Sequence, residues 1–112
     1  MQTGLGVITV TSPGTRVGIL TNVVSTAYIG AQSILLQALS NATHTNTGRV
    51  YIYVLDATGT AKRVATLAVP GTNSIPSFSA TIPNATAAMN PAAYSIDADN
   101  AGDGVDASYL VP

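Results

Sequence analysis

The stretch RVYIYVLDATGTAKRVATLAVP (49–70) decides the fold class, because it contains two alternating runs around a short turn. In the first run, alternate side chains fall on opposite faces of an extended chain: Val50, Ile52 and Val54 on one, Tyr51, Tyr53 and Leu55 on the other. The turn ATGT (57–60) supplies a glycine where positive φ is needed. The second run, KRVATLAVP (62–70), returns as the partner strand and ends at Pro70. The period of two predicts a β-hairpin.

Similar runs recur on both sides of this hairpin, separated by turn residues. They are LGVITVT (5–11), RVGILT (16–21), SILLQALS (33–40), FSATI (78–82), AYSIDAD (93–99) and VDASYLV (105–111). Segment 22–32 fits a loop, a short strand or one helical turn, and a helical turn is predicted at 85–89. About eight short strands separated by turns predict one all-β domain over 1–112, an antiparallel β-sandwich of jelly-roll type.

The composition excludes some kinds of functional site and indicates a surface with little charge. The chain has 112 residues, no cysteine, 8% charged residues and a net charge of −1. Disulfides and thiolate metal sites are therefore excluded, and electrostatic capture of nucleic acid or membrane is not expected. The N-terminus lacks the features of a signal peptide. So little charge indicates either an exterior covered by neighbouring molecules or a neutral surface of Thr, Ser and Asn.

The stretch DADNAGDGVD (97–106) holds four of the five acidic residues and allows three interpretations: a calcium loop, catalytic carboxylates, or a turn. An EF-hand loop starting at Asp97 would need ligands at positions occupied by Ala101 and Ser108. A glycosidase would need two acids across a cleft, one with a raised pKa. The run of Asn, Gly and Asp at 100–104 instead favours a hairpin turn between the last two strands. A weak cation site in this turn stays open.

Other residues that could carry chemistry stand alone in the sequence. His44 lies in the polar segment NATHTNTG (41–48), where a lone histidine is expected to be solvated. No G-x-S-x-G elbow occurs, and the chain has no Glu. Arg49 beside Tyr51 and Tyr53 would suit base stacking, but without a supporting basic patch we expect these tyrosines to pack or to face a protein partner. The sequence thus predicts no enzyme, no cofactor and no metal site.

Three segments resemble a pattern seen in small structural proteins of tailed bacteriophages. They are ITVTSPGTRVGIL (8–20), SILLQALSN with TNTGRVYIYV (33–41 and 45–54), and YSIDADNAGDGVDASYLV (94–111). The family pattern has an N-terminal strand pair, a central strand and a C-terminal hairpin with an Asp- and Gly-rich turn. The chain departs from it at Tyr53, where the pattern has Gly, and in the segment TNVVSTAYIG (21–30).

This resemblance implies an all-β virion component, made in the host cytoplasm and placed on the capsid exterior. The favoured role is decoration, or cement, in which the protein binds the outer shell at capsomer junctions and stabilises the head. The partner implied is the major capsid protein, and the expected state is a homo-oligomer, either a dimer or a trimer. The alternatives are a head–tail neck protein, a tail-fibre or host-recognition module and, less favoured, a carbohydrate-binding module.

Contact positions in such an assembly are predicted from residue type and strand position. Tyrosine is enriched at interface hot spots, and the uncharged segment 1–11 is expected to be an arm or an edge strand that extends a neighbouring sheet. Ordinary packing within the sheet is the alternative for each tyrosine. The predicted contact residues are Tyr28, Tyr51, Tyr53, Tyr109, Leu5 and Val7.

Overall fold

The computed structural model describes residues 2–19, 33–56, 58–71, 77–81 and 93–110. In these residues the chain forms eight strands. They are β1 (Gln2–Thr9), β2 (Val17–Gly18), β3 (Ser33–Ala38), β4 (Val50–Leu55), β5 (Ala61–Leu67), β6 (Ser77–Thr81), β7 (Tyr94–Ala98) and β8 (Gly104–Leu110). The predicted helical turn at 85–89, the ambiguous segment 22–32 and Tyr28 lie outside the described residues. The described part contains no helix long and apolar enough to span a membrane.

The strands form two antiparallel four-stranded sheets that pack as a sandwich. We call the sheet with the order β1-β8-β3-β6 the first sheet, and the sheet with the order β2-β7-β4-β5 the second sheet. Strands from opposite ends of the chain pair with each other: β1 with β8, β2 with β7, β3 with β6 and β4 with β5. This pairing is that of a long antiparallel ribbon folded over on itself, which is the jelly-roll arrangement. The predicted fold class is confirmed.

The hairpin at the centre of the sequence forms as predicted. β4 pairs with β5 from Val50↔Leu67 to Leu55↔Ala61, with a register shift after Ile52. In the turn, Oδ1 of Asp56 accepts hydrogen bonds from the backbone N–H groups of Thr58 (2.9 Å) and Thr60 (3.0 Å), and Gly59 has a φ of +83°. The side chain of Asp56 therefore fixes the turn, and the glycine supplies the conformation that other residues disfavour.

The hydrophobic core lies between the two sheets and follows the period-two pattern of the strands. The inward positions of all four central strands are buried, as are those at the end of β1 and in the turn after β2. The fully buried apolar residues include Ile8, Val10, Ile19, Ile34, Leu36, Val50, Ile52, Leu67, Ile96 and Val105. Burial of such side chains is the main source of stability in a domain of this size.

The first strand is part of this sandwich and forms the edge of the first sheet. Gln2–Thr9 pairs with β8, and Ile8 and Val10 are buried in the core, so these residues belong to the edge of their own sheet. Contact of this segment with a neighbouring chain stays a prediction. A bulge interrupts the pairing with β8 between Gly4 and Gly6, and Gly6 has a φ of +85°. Bulges of this kind are common on edge strands, where they discourage unplanned pairing with other chains.

The predicted hairpin at 97–106 is wrong, because β7 and β8 belong to different sheets. β7 pairs with β2 and β4, whereas β8 pairs with β1 and β3. The connection between them crosses from one sheet to the other beside the connection from β1 to β2. Val10 donates its N–H to the carbonyl of Asp103 (2.8 Å), and Gly102 donates to the carbonyl of Val10 (2.8 Å). Turn residues predict that the chain bends, but they do not predict whether the two strands on either side of the bend pair with each other.

The N-terminal strands cross between the sheets in the same way. β1 and β2 do not pair with each other, and β2 covers only Val17–Gly18 of the predicted strand at 16–21. The intervening loop is held to the second sheet by Gly14, whose N–H donates to Oδ1 of Asp97 (3.0 Å). The crossing from β1 to β2 and the crossing from β7 to β8 therefore lie at the same end of the sandwich.

Candidate functional site

The outer face of the second sheet carries two tyrosines on its central strand β4. Val50 and Ile52 point inward and are fully buried, so alternation places Tyr51 and Tyr53 on the outside, where both are half-buried. Neighbouring positions of this face come from β7 and β5: Tyr51 is opposite Asp97, and Tyr53 is opposite Arg63. The two predicted contact tyrosines therefore share one surface.

Three arginines stack on these tyrosines. The guanidinium carbon of Arg16 lies 5.4 Å from the ring centroid of Tyr53. Those of Arg49 and Arg63 lie 5.8 Å and 5.2 Å from the ring centroid of Tyr51. These distances are within the range of cation–π attraction. We call Tyr51, Tyr53, Arg16, Arg49 and Arg63 the tyrosine–arginine face.

This clustering corrects the expectation that no basic patch accompanies the tyrosines. Three of the four cationic residues of the chain meet there. Only Arg49 lies close to Tyr51 in sequence. Arg16 reaches Tyr53 because β2 and β7 place it beside β4, and Arg63 reaches the face through the β4–β5 hairpin. A one-dimensional pattern could identify Arg49, but it contained no signal for Arg16.

Tyr51 is also tied to an exposed carboxylate. Its hydroxyl donates a hydrogen bond to Oδ1 of Asp99 (2.6 Å), and Nε of Arg49 donates to Oδ2 of the same residue (3.3 Å). The hydrogen bond to Asp99, reinforced by burial and by the carboxylate charge, raises the pKa of Tyr51. The same hydrogen bond is the main reason that the pKa of Asp99 is lowered. Tyr51 thus stays a neutral donor at physiological pH.

The other two arginines have a different environment. Within the described residues, the side chains of Arg16 and Arg63 make neither a hydrogen bond nor an ion pair, and their polar groups have only the ring contacts given above. Arg49, in contrast, is paired with Asp99, and Lys62 lies 3.8 Å from Asp56. The face therefore presents two guanidinium groups that are held in place without an anionic partner.

A concavity opens beside Tyr53 on the β2 side of this face. Its volume is about 640 Å³, and its walls include Arg16, Tyr53, Tyr94, Ser95 and Asp97. Oδ1 of Asp97 is held by the backbone N–H groups of Gly14 (3.0 Å) and Ala98 (2.8 Å). The site combines an aromatic ring, a cation and a fixed carboxylate, which are groups that bind polar ligands rather than purely apolar ones.

A second polar cluster is buried at the end of the sandwich where the chain crosses between the sheets. Asp103 is fully buried. Its carboxylate accepts hydrogen bonds from Nε2 of His44 (2.8 Å) and from the backbone N–H groups of Thr47 (3.1 Å) and Gly48 (2.8 Å). His44 is a loop residue with 36% of its side chain exposed, as expected, but the folded loop also places its ring against this carboxylate, a contact that the sequence did not predict.

The charge state of Asp103 follows from these contacts. Burial by itself raises the pKa of a carboxyl group. Here the hydrogen bonds from His44, Thr47 and Gly48 outweigh burial, and the pKa of Asp103 is lowered. The buried group is therefore an ionised carboxylate whose oxygens are satisfied by loop 39–49, and it anchors that loop to the turn before β8.

Asn46 completes the attachment of the same loop. Its side-chain amide donates to the carbonyl of Gly104 (2.8 Å), and its side-chain oxygen accepts from the N–H of Gly104 (2.9 Å). The amide thus imitates the backbone of a neighbouring strand. On its other side, Gly104 lies close to the backbone of β1. A β-carbon at position 104 would collide with the carbonyl oxygen of Ile8, so this position requires glycine.

The pair of His44 and Asp103 resembles the base and its orienting acid in hydrolase triads. In the described residues, however, no hydroxyl is hydrogen-bonded to the other ring nitrogen of His44. The described residues also contain no group of three His, Asp or Glu side chains able to hold a metal ion. The contacts that the pair does make join two loops, which is a structural role.

The remaining predicted contact residues occupy different places. Val7 is 45% exposed on the edge strand β1. Tyr109 is half-buried and packs against the core, as the sheet-packing alternative expects. The backbone of Leu5 lies in the bulge of β1, and its side chain is outside the described part, as is Tyr28. Among the four predicted residues whose side chains the structure describes, Tyr51 and Tyr53 share one surface.

No protein-family model, curated protein or solved structure matches this chain. Its class is therefore defined by the fold and the surface alone: a jelly-roll β-sandwich with a tyrosine–arginine face on one sheet.

Proposed function

We propose that this chain is a capsid decoration protein of a tailed bacteriophage, which binds the outer shell of the head through its tyrosine–arginine face. The observation that carries the proposal is the convergence of Tyr51 and Tyr53 with three arginines on one outward sheet face. Tyrosine and arginine are the residue types enriched at the energetic centres of protein interfaces. The resemblance of the chain to small virion proteins supplies the identity of the partner.

The fold is compatible with this function. Jelly rolls occur in viral capsid domains and also in lectins. The fold therefore suits both a capsid function and carbohydrate binding, and does not distinguish between them. The low charge of the chain, 8% of residues, suits a surface that is shared with neighbours. Loop 39–49 is fastened by hydrogen bonds to the buried carboxylate of Asp103, which suits a rigid clamp better than a mobile lid.

Cementing a shell requires contacts with more than one subunit. The tyrosine–arginine face lies on the second sheet, whereas the exposed Val7 lies on the edge strand of the first sheet. Two separate contact surfaces would let one copy join two capsid subunits, so that separating them breaks both contacts together. An ordinary interface of about 800 Å² per partner would be sufficient for each contact.

The copy number of the chain in purified particles tests this proposal. A decoration protein is expected in hundreds of copies per particle, measured against the major shell protein by quantitative mass spectrometry. A few to tens of copies would instead indicate a neck or tail-fibre protein, and absence from particles would contradict any virion role.

Rebinding to stripped shells then tests the face. Replacing Tyr51 and Tyr53 together by alanine is expected to abolish retention on the shells. Gln37→Ala is the matched control, because Gln37 is exposed on β3 of the opposite sheet. Equal retention of the tyrosine variant and the control would contradict the assignment of this face.

A carbohydrate-binding function is the second candidate, favoured by the concavity beside Tyr53. Its aromatic rings, Tyr53 and Tyr94, lie with Asp97 and Arg16 around a volume of about 640 Å³. Specific binding of a glycan in an array, lost in Asp97→Asn, would support this alternative, and host-surface glycans would then link it to host recognition.

A further inference from the structure

We infer that the tyrosine–arginine face recognises an extended acidic segment, with Arg16 and Arg63 each binding one of its carboxylates. The inference deepens the proposed function and rests on it for the identity of the partner, but not for the chemistry of recognition. It assigns a ligand class to two arginines whose side chains have no hydrogen bond or ion pair within the described residues.

Both guanidinium groups are held in position by aromatic rings. Arg16 lies over the ring of Tyr53 at 5.4 Å and Arg63 over the ring of Tyr51 at 5.2 Å. A stacked guanidinium keeps its N–H groups available at the edge of its plane, while its rotational freedom is reduced. Fixed, planar donors match the two oxygens of a carboxylate and lose less entropy on binding than a mobile side chain does.

The guanidinium donors of Arg16 and Arg63 have no acceptor within the described chain. Arg49 is paired with Asp99, and Lys62 lies near Asp56. Arg16 and Arg63 have ring contacts and, in the described residues, no hydrogen bond or acidic partner. A chain with five acidic residues has thus left two of its three arginines available for an external anion.

The spacing of the two tyrosines along β4 matches that of an extended ligand. The two tyrosines are alternate residues of β4, so their positions on the face lie about 7 Å apart along the strand. An extended segment presents alternate side chains on one face at the same spacing. A segment with acidic residues at alternate positions would therefore place one carboxylate near each guanidinium, and its backbone would run along β4.

The acidic residues of the face limit the alternatives. Asp99 is occupied by Tyr51 and Arg49, and Oδ1 of Asp97 by the backbone of Gly14 and Ala98. These carboxylates reduce the long-range positive potential of the face, so attraction depends on direct pairing. Nucleic acid binding relies on a broad positive field, and the net charge of −1 disfavours it.

A synthetic peptide of alternating threonine and aspartate is the probe, and the same peptide with asparagine is its control. Binding is followed by two-dimensional NMR of the ring signals of Tyr51 and Tyr53. We expect the aspartate peptide to shift both rings and the asparagine peptide to shift neither. Equal binding of both peptides, or tighter binding of an oligothymidine, would overturn the inference.

Variants locate the binding groups. Arg16→Gln with Arg63→Gln is expected to weaken the aspartate peptide by about tenfold or more, because two charge-assisted pairs are lost. Lys62→Gln is the control, since it removes one positive charge from the position next to Arg63 and leaves both arginines in place. We expect it to change affinity by less than about twofold, because exposed charges that make no direct pair contribute little. Equal losses of affinity in both variants would show unspecific attraction and would contradict the assignment.

Unfolding curves of the variants distinguish lost binding from lost folding. They are expected to overlay the curve of the wild type, because the side chains of Arg16 and Arg63 are exposed.

The same variants on stripped phage shells separate this inference from the proposed function. If wild-type protein binds shells and the double arginine variant binds equally well, the acidic-segment inference fails and the decoration function stands. If the peptide binds as expected and shells do not retain the wild type, the decoration function fails and the ligand class stands.

Discussion

Nε2 of His44 lies 2.8 Å from Oδ1 of Asp103, a carboxylate with no exposed surface, although 59 positions separate the two residues. Backbone N–H groups of Thr47 and Gly48 complete the coordination of the same carboxylate. The sandwich is therefore closed at this end by a buried charge rather than by apolar contacts alone. Four predictions follow from this network and from the adjoining face.

Replacement of Asp103 by asparagine is expected to destabilise the fold by about 2–4 kcal/mol, because an amide cannot accept all the hydrogen bonds and leaves buried donors unpaired. The measurement is the free energy of unfolding in urea. Asp106→Asn is the matched control, since Asp106 is an exposed aspartate three positions away, and its effect should stay within about 0.5 kcal/mol. Similar effects of the two substitutions would contradict the structural role of Asp103.

Stability is expected to fall in acid through the same residue. The pKa of Asp103 is lower in the folded protein than in the unfolded chain, so the unfolded state binds the proton more readily as the pH decreases. Its contribution is present at neutral pH and is lost from about pH 5 downwards, through the folded-state pKa.

Urea titrations between pH 7 and pH 2 measure this dependence. In Asp103→Asn the free energy of unfolding should decrease less steeply below about pH 5 than it does in the wild type. Asp56 and Asp99 also have lowered pKa values but lie near the surface, where solvent screening reduces their contribution. The same pH dependence of the free energy of unfolding in the variant and the wild type would show that other carboxylates control acid unfolding.

Gly104→Ala is expected to cost about 2–3 kcal/mol or more, because the new methyl group would meet the backbone carbonyl of Ile8, which cannot move without breaking the β1–β8 pairing. Gly4→Ala on β1 is the control, since nothing lies within 4 Å of a β-carbon there. Thermal unfolding of both variants tests this, and a stable Gly104→Ala protein would show that β1 can shift.

Asp99→Asn is expected to lower the pKa of Tyr51 back toward its ordinary value of 10.0, because the charged acceptor of the hydroxyl hydrogen bond is removed while Arg49 and Arg63 remain. The titration of the Tyr51 ring carbon followed by NMR measures the shift. Asp106→Asn, remote from this ring, should leave it unchanged. A Tyr51 pKa that is the same in both variants would mean that Asp99 does not accept this hydrogen bond in solution.

The hairpin at 49–70, the turn at 97–106 and the tyrosine–arginine face could be predicted from the sequence to different extents, for different physical reasons. The hairpin at 49–70 was predictable because alternation and the turn glycine act through neighbours in sequence. The turn at 97–106 was correctly placed between two strands but wrongly paired, because Asn, Gly and Asp favour a bend whether it closes a hairpin or crosses between sheets. The tyrosines of the candidate site were predicted as contacts, whereas the convergence of Arg16 and Arg63 on them was not.

Local geometry follows from the amino-acid pattern alone: extended strands with one apolar face, glycines where φ must be positive, and a surface with little charge. Three features depend on the folded sandwich: β7 and β8 belong to different sheets, Asp103 is buried against His44, and two arginines without acidic partners in the described chain lie over Tyr51 and Tyr53. The reason is that periodicity reflects interactions between residues a few positions apart. Pairing between strands from opposite ends of the chain depends instead on the closure of the whole sandwich, in which each pairing becomes favourable once the others have formed.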